Sequence, residues 1–334
     1  MILVTGATGH IGNVLIRQLL ENGEKVRALI LKEEDTTPIQ DLQVEKIEGD
    51  VLDLNSLETA FKGVDTVYHL AGIISIMPGQ NPFVWEVNVK GTRNVLQTAL
   101  QEGVRRLVYT SSIHAIARAP HGIQIDETLP FDTNNPYGAY DRSKAEASLD
   151  VQKACRDGLD AVIVCPTGVI GPFDFRRSEM GNVILDAARR KTSLYVDGAY
   201  DFVDVRDVAD GLIQACEKGR IGESYILSGQ KISVRYLLET VREVTGYAFP
   251  KFKIPFSLAE ITSHFTPAYY RWSKTKPKFT PYSLEVLQSN SDISHAKASR
   301  ELGYSPRPMY VSIADTVRWF LENHRLLFAQ KRIS

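Results

Sequence analysis

The sequence has little of what marks several common classes of protein. Its three cysteines form no C-x-x-C pair and are too few for a disulfide framework, which favours a reducing compartment. Its 39 lysines and arginines face 40 acidic residues, and the formal net charge of −1 leaves no basic footprint for nucleic acid. No uninterrupted apolar run is long enough to span a bilayer. These shortages favour a globular protein that acts on small molecules.

Two further features are missing. No secretory signal peptide precedes the first predicted strand, so we expect a cytoplasmic protein. None of the seven histidines has a second ligand at a metal-binding spacing, so we expect no metal. An aromatic stretch at 255–272 is poor in basic residues and is interrupted by prolines. It favours a lid or pocket lining over a membrane-surface helix, and we expect no stable membrane insertion.

Three glycines follow the first apolar run of the chain, in "MILVTGATGHIG". The run predicts a short buried strand, and a helical pattern begins at Ile11. Gly6, Gly9 and Gly12 therefore stand on a strand-to-helix turn, where free N–H groups and the helix dipole favour an anion. The spacing is GxxGxxG, whereas the dinucleotide fingerprint is GxGxxG. We predict nucleotide binding, and the alternative is an ordinary glycine-rich loop.

Strands and helices alternate through the first half of the chain, which predicts a parallel sheet covered on both faces. The predicted strands lie at 2–4, 25–31, 44–50, 65–72, 105–112 and 160–166, and two long helices lie at 84–100 and 138–155.

After Pro166 this rhythm breaks, and residues 167–181 have a loop-like composition. One more strand and helix are predicted at 200–216, and a short strand at 223–229. We expect a dinucleotide-binding domain over 1–170, to which 200–230 returns. Residues 171–199 and 231–330 form a substrate-binding lobe in this prediction.

Tyr140 and Lys144 stand four residues apart on a predicted helix and share a face. A free tyrosine has a pKa near ~10, and a neighbouring ammonium lowers it, so Tyr140 is a candidate acid/base. Tyr137 has the acidic Asp141 at the same spacing. Ser112 ends the fifth predicted strand, where ligands of parallel sheets bind, and would hold the same substrate oxygen. The alternative for one of Ser111 and Ser112 is capping of the next turn.

With these residues in this order, the chain resembles an extended short-chain dehydrogenase/reductase of the NAD-dependent epimerase/dehydratase family. The similarity covers nearly the whole chain. It rests on "TGATGHIG", "GDVLD", "VYHLAG", "NVKGTRNVL", "YTSS", "YDRSK", "FVDVRDVADG" and "AKASRELGYSPRP". The resemblance implies an α/β Rossmann fold, with a doubly wound parallel sheet and a smaller, mostly helical C-terminal substrate lobe.

The resemblance also implies residue roles. Tyr140 would be the acid/base, Lys144 would hold the nicotinamide ribose and depress the pKa of Tyr140, and Ser112 would orient the substrate oxygen. Asn88 and Asp207 would be mainly structural. The cofactor-binding residues would be Gly6, Thr8, Gly9, His10, Ile11 and Gly12 at the pyrophosphate turn, Asp50 and Val51 at the adenine, Leu70, Ala71 and Gly72 at its ribose, and Pro166 and Thr167 beside the nicotinamide.

The cofactor would be NAD or NADP. An acid at the end of the second strand would bind a ribose 2′-hydroxyl and repel a 2′-phosphate. That place holds Leu31 and Lys32, with Glu33 and Glu34 beyond it. Lys32 would pair with a phosphate, so we favour NADP slightly. The alternative for Lys32 is a solvated loop charge.

The segment "CPTGVIGPFDF" resembles dihydroflavonol 4-reductases and 3β-hydroxysteroid dehydrogenases, and it lacks the "R-Y-F-N" pattern of nucleotide-sugar epimerases. We therefore expect an NAD(P)-dependent oxidoreductase that moves a hydride between nicotinamide and a ketone or secondary alcohol, on an apolar ring-bearing substrate. An apolar wall would come from Ile73, Ile74, Ile76, Met77 and Phe83.

Two alternatives stay open. A nucleotide-sugar epimerase or dehydratase with tightly bound NAD would use Arg176 and Arg177 on a diphosphate, although a solvated loop is the favoured interpretation of this pair. A non-catalytic NAD(P)-sensing protein is disfavoured because Ser112, Tyr140 and Lys144 are all present. The family also leads us to expect a homodimer, paired through the helices that hold Asn88 and Tyr140.

Overall fold

The computed structural model describes residues 1–76, 79–189, 194–247, 252–263, 266 and 280–323. Strands β1 to β12 are Ile2–Thr5, Val26–Ile30, Glu45–Glu48, Thr66–His69, Arg106–Thr110, Ala161–Pro166, Gly168–Ile170, Leu194–Val196, Ala199–Asp204, Ser224–Leu227, Gln230–Ser233 and Phe252–Ile254. Helices α1 to α12 are His10–Glu21, Leu54–Phe61, Pro82–Trp85, Gly91–Gln101, Ala139–Arg156, Glu179–Ala188, Val205–Lys218, Val234–Thr245, Phe256–Ser263, Pro281–Gln288, Ala296–Leu302 and Met309–Glu322.

Seven parallel strands form the central sheet, in the order β10-β6-β5-β4-β1-β2-β3. β1 lies between β2 and β4, so the strand order reverses at β1, as in doubly wound folds. The predicted α/β Rossmann architecture is confirmed. Because all seven strands run the same way, their carboxyl ends lie at one end of the sheet. The glycine turn, Gly72, Ser112 and Thr167 therefore lie at that end.

Most strands of the central sheet are buried on both faces because helices cover both, whereas the edge strand β3 is charged and largely exposed. In β1, Leu3 belongs to the buried cluster that includes Leu57 of α2 and Val95 of α4. The next residue, Val4, belongs to the other cluster, with Leu15 of α1 and Leu212 of α7. Successive side chains of a strand point to opposite faces, so this alternation places one helical layer on each side of the sheet.

The segment predicted as a loop after Pro166 contains a strand and the start of a helix. β7 pairs with β9, and β9 pairs with β11, in a separate three-stranded sheet. The position of Gly168 requires glycine, because a Cβ there would lie 2.7 Å from the ring of Phe202. A glycine favours a loop in the sequence, so this strand was not predicted. The strand predicted near residue 200 thus lies outside the central sheet, whereas β10 forms its edge. The domain bounds stay a prediction.

The C-terminal part is mostly helical, as expected, with α8 to α12 and the short pairing of β8 with β12. The helix predicted over 84–100 contains a π-helical turn, Glu86–Lys90, between α3 and α4. Within the described ranges, no helix is both long and apolar enough to cross a membrane.

Candidate active site

The glycine turn packs directly against the end of β4. Gly6 has a φ of +68°, and a Cβ there would lie 2.7 Å from the Ala71 nitrogen. A Cβ on Gly12 would lie 2.2 Å from the Gly6 carbonyl oxygen. The N-cap of α1 is Gly9, which has no side chain to cap the helix, and no acidic residue stands in the first turn of α1. The first N–H groups of the helix are therefore free for an anion, which fits a dinucleotide pyrophosphate.

Ser112, Tyr140 and Lys144 meet beyond the end of β5, and each is at least nine-tenths buried. The Ser112 side chain favours ionisation of Tyr140, an effect that burial outweighs. The Ser112 hydroxyl also accepts from the backbone N–H of His114 at 3.2 Å. Ser111 turns away and bonds the hydroxyl of Ser148 at 2.7 Å. The capping role weighed for one of the two serines therefore belongs to Ser112 itself, which caps the turn at Ile113–Ala115. Its role toward a substrate stays a prediction.

Burial shifts the pKa values of both Tyr140 and Lys144. It raises the pKa of Tyr140 to about 12 and lowers the pKa of Lys144 to about 8. The lysine was expected to lower the pKa of Tyr140, but in the structure this pKa is raised. The Lys144 ammonium donates to the Thr110 carbonyl at 2.7 Å and lies 3.5 Å from the Tyr109 hydroxyl. Tyr140 therefore keeps its proton at neutral pH.

Asn88 joins the end of β4 to α5, the helix that carries Tyr140 and Lys144. Its Oδ1 accepts from the Ile73 N–H at 2.7 Å, and its Nδ2 donates to the Ile73 carbonyl and to the Ser143 hydroxyl. A Cβ on Gly72 would lie 3.1 Å from Asn88 Oδ1 and 3.4 Å from Lys144 Nζ. The amide thus fixes the backbone beside Lys144, in line with the structural role expected for it.

Pro166 ends β6, and Thr167 follows it at the same carboxyl end of the sheet. The Thr167 hydroxyl donates to Asp201 Oδ1 at 2.7 Å, and the Gly229 N–H donates to the same oxygen at 3.0 Å. Burial raises the pKa of Asp201 to about 6. Asp201 was not singled out from the sequence. It ties the predicted nicotinamide-flanking residue to β9.

The C-terminal lobe contributes a polar cluster beside Tyr140. The His114 ring stacks on Tyr200 with centroids 5.9 Å apart and lies 6.4 Å from the Tyr140 ring. The Tyr282 hydroxyl donates to the fully buried Asp141 at 2.8 Å. Arg118 pairs with Glu285 of α10 and lies 3.6 Å from Asp141. No sequence pattern joins these residues, because they come from four separate segments of the chain.

The predicted adenosine-side residues take several local roles. Asp50 accepts from the Leu52 N–H at 2.9 Å, and the Val51 carbonyl accepts from Asn94 at 2.9 Å. The His10 ring lies 2.9 Å from the Pro172 carbonyl. Lys32 is exposed at the surface.

An acid and an arginine meet at this end of the site. The Thr8 hydroxyl donates to Glu34 at 2.6 Å, and Arg176 contacts both side chains. Arg176 was expected in a solvated loop or at a substrate diphosphate, and the structure brings it to the glycine turn instead.

The predicted apolar wall is only partly buried. Ile74 is 74% exposed and Phe83 is 58% exposed, while Met77 lies outside the described residues. Asp207 is structural, as expected, because its carboxylate binds the backbone and guanidinium of Arg307 at 2.8 and 2.7 Å.

A parallel sheet whose first strand leads through a glycine turn into an uncapped helix defines a dinucleotide-binding α/β protein. Residues 2–228 match the model of the NAD dependent epimerase/dehydratase family, and the chain belongs to that family. The resemblance stated from the motifs is confirmed.

The chain is similar over its whole length to proteins of known name. It is 38% identical to the sterol demethylase protein B of Methylococcus capsulatus, over 96% of this chain and 98% of that protein. It is 28% identical to a 3 beta-hydroxysteroid dehydrogenase/Delta 5→4-isomerase of Mycobacterium tuberculosis, over 95% of this chain and 92% of that protein. The crystal structure of gox2253 superposes with a TM-score of 0.85 at 34% identity, over 97% of this chain and 99% of that one. The family and these relatives indicate an NAD-dependent enzyme of the epimerase, dehydratase or reductase kind.

Proposed function

We propose that the protein is an NAD(P)-dependent oxidoreductase that interconverts a ketone and a secondary alcohol on an apolar, ring-bearing substrate. One observation carries the proposal. The Tyr140 side chain is buried beside Ser112, at the carboxyl end of the sheet where parallel folds bind ligands, and a pKa of about 12 keeps it protonated at neutral pH. The names of two relatives, a sterol demethylase protein and a hydroxysteroid dehydrogenase, support a ring-bearing substrate.

The chain's own residues divide the chemistry. The uncapped start of α1 and the glycine turn would hold the cofactor pyrophosphate. When bound, the nicotinamide supplies a hydride to the carbonyl carbon. Tyr140 gives its proton to the carbonyl oxygen, and Ser112 donates a hydrogen bond that holds this oxygen. Lys144 stands one helical turn further on the same face, and with a pKa of about 8 it exchanges protons readily near neutral pH.

The pKa of Tyr140 favours the reductive direction. A phenol with a pKa of about 12 is fully protonated at pH 7 and ready to act as an acid. Oxidation of an alcohol would need the phenolate, which burial disfavours. We therefore propose that ketone reduction is the faster direction at neutral pH.

The nucleotide-sugar alternative has lost its main support. It depended on Arg176 and Arg177 at a substrate diphosphate. Arg176 contacts Thr8 and Glu34 at the glycine turn, whereas Tyr140 lies beyond the end of β5.

We also propose a homodimer in the cytoplasm. The helices expected to pair carry partly exposed apolar residues, including Trp85 and Leu100 on one side and Leu149 of α5 on the other. Light scattering on the purified protein would give the oligomeric state.

The test is a substrate panel of cyclic ketones, flavanones, 3-oxosteroids and aldehydes, with NADH and NADPH in parallel. The purified protein is first denatured and checked for released dinucleotide. We expect oxidation of the reduced cofactor with at least one cyclic ketone and faster turnover than for any aldehyde. Retained NAD, no net oxidation with the panel, and epimerisation of an added nucleotide sugar would overturn the proposal.

A further inference from the structure

Residues 172–176, between β7 and α6, cross over the glycine turn. The Pro172 carbonyl lies 2.9 Å from the His10 ring, and the Phe173 carbonyl accepts from Asn13 at 3.2 Å. Arg176 then places one guanidinium nitrogen 2.5 Å from both the Thr8 hydroxyl and Glu34 Oε1. One side chain therefore joins the glycine turn, the residues after β2 and the segment after β7.

Glu34 is folded back onto the end of β2. Its Oε2 accepts from the Leu31 N–H at 2.9 Å, and its Oε1 accepts from the Thr8 hydroxyl at 2.6 Å. Glu33 makes this return possible with a φ of +63°, which a non-glycine residue adopts at a cost. A carboxylate therefore occupies the strand end that the sequence left without an acid.

Arg176 is held in place by its neighbours. Asp174 is 1% exposed and accepts from the N–H of Ser178 at 2.8 Å. Phe175 packs edge-on against Trp319 of α12, with ring centroids 5.0 Å apart. The Arg176 side chain itself is 50% exposed. Its backbone is thus fixed while its guanidinium stays accessible to a ligand at the glycine turn.

We infer that Arg176 is a specificity-determining residue for the cofactor, and that with Glu34 it discriminates a ribose 2′-hydroxyl from a 2′-phosphate. The inference rests on the proposed function only in that a nicotinamide dinucleotide binds. A carboxylate accepts from a ribose hydroxyl and repels a phosphate. In this ion pair the Glu34 carboxylate neutralises Arg176, and the protein prefers NAD. When an amide replaces the carboxylate, as in Glu34→Gln, the guanidinium is free to bind a 2′-phosphate with two hydrogen bonds. The proposed preference for NAD is the opposite of the preference for NADP that Lys32 led us to expect.

The experiment measures the Kd of NAD⁺ and NADP⁺ by titration calorimetry, without substrate. The variants are Glu34→Gln, Arg176→Gln, the double variant, and Lys32→Gln as the matched cation control. We expect wild type to bind NAD⁺ at least about tenfold more tightly than NADP⁺. Glu34→Gln should shift the ratio toward NADP⁺ by about tenfold or more, and the double variant should lose most of this gain. Lys32→Gln should leave the ratio unchanged.

The outcomes separate this inference from the proposed function. If wild type binds neither dinucleotide, the proposed function fails. If it binds one but prefers NADP⁺, or if Lys32→Gln rather than Arg176→Gln weakens NADP⁺ binding, the inference is overturned and the proposed function stands. An unchanged ratio in both Glu34→Gln and the double variant also overturns it. Thermal midpoints verify folding, and Arg176→Lys serves as a second, charge-retaining variant that should preserve NADP⁺ binding better than Arg176→Gln.

Discussion

The Tyr282 hydroxyl donates to Oδ1 of Asp141 over 2.8 Å. This bond joins α10 of the C-terminal lobe to the residue that follows Tyr140. The Asp141 carboxylate is fully buried, and among the described residues its second oxygen has only the longer contacts to Arg118 at 3.6 Å and His114 at 3.9 Å. The position of the lobe and the start of α5 are therefore coupled through one buried carboxylate.

Replacing Tyr282 by Phe should destabilise the protein by about 1–3 kcal/mol, because a buried carboxylate loses a hydrogen bond and water cannot replace it. Urea unfolding measures the change. Tyr310→Phe is the matched control, since Tyr310 is 45% exposed and should change the free energy of unfolding by less than ~0.5 kcal/mol. Equal losses in the two variants would show that the Tyr282–Asp141 bond contributes nothing of its own.

Replacing Tyr140 by Phe should lower kcat by about 10²–10⁴-fold and leave the Kd of the cofactor within about twofold, because only the proton donor is lost. Steady-state rates with a ketone from the panel, together with calorimetry, measure both. Tyr137→Phe is the control, since Tyr137 stacks under the Arg118 guanidinium at 3.6 Å and lies off the proposed proton path. Near-normal turnover of Tyr140→Phe would remove Tyr140 from the acid/base role.

The rate of ketone reduction should fall as the pH rises through about 8. Burial places the pKa of Lys144 near that value, and the ammonium that can return a proton is lost above it. Tyr140 does not explain such a decline, since its pKa is about 12. A pH profile of kcat from 6 to 10 measures the effect. In Lys144→Arg the charge persists, so whatever activity remains should show no inflection near 8. A wild-type profile that stays flat to pH 10 would contradict this role.

The stability contribution of Asp201 should depend on pH. Burial raises its pKa to about 6 in the folded protein, above the ordinary 3.8, so the folded state keeps a proton that the unfolded state releases between these values. The carboxylate form therefore costs stability above pH 6, and this cost disappears as the pH falls toward 4. Relative to wild type, Asp201→Asn should be more stable at pH 7.5 than at pH 4.5 by on the order of 2 kcal/mol.

Thr167→Val is a control that should change the pH dependence of unfolding in the direction opposite to Asp201→Asn. It removes the hydroxyl that favours the carboxylate form while the acid remains, so the pH dependence of unfolding should become steeper. Thermal unfolding of the three proteins at the two pH values tests both statements. A difference between Asp201→Asn and wild type that does not vary with pH would show that the carboxyl titrates alike in the folded and unfolded states.

The sequence predicts well what depends on local pattern. The apolar run at Ile2 and the glycines after it predict β1 and its turn, because a buried strand and a tight strand-to-helix turn each restrict the residues at successive positions. The face shared by Tyr140 and Lys144 is likewise a property of one helix. The parallel direction of the central strands follows from their alternation with helices, whereas their order in the sheet does not.

The remaining features depend on contacts between distant segments. β7 is three residues long and exists because Gly168 packs on Phe202, which no local pattern shows. The return of Glu34 to the strand end needs a left-handed Glu33, a conformation that residue type does not predict. The pKa of Tyr140 depends on how deeply the lobe buries it, and a helical spacing carries no information on depth.

The contact between Phe175 and Trp319 has a consequence for the order of synthesis. During synthesis the glycine turn precedes Arg176, and Arg176 precedes Trp319. The tryptophan that steadies the arginine's segment lies beyond residues 2–228, which the family model matches. A nascent chain that has already formed the central sheet would still present the dinucleotide with an unsupported arginine. The selection between the two cofactors proposed for Arg176 and Glu34 therefore depends on α12 as well as on the central sheet.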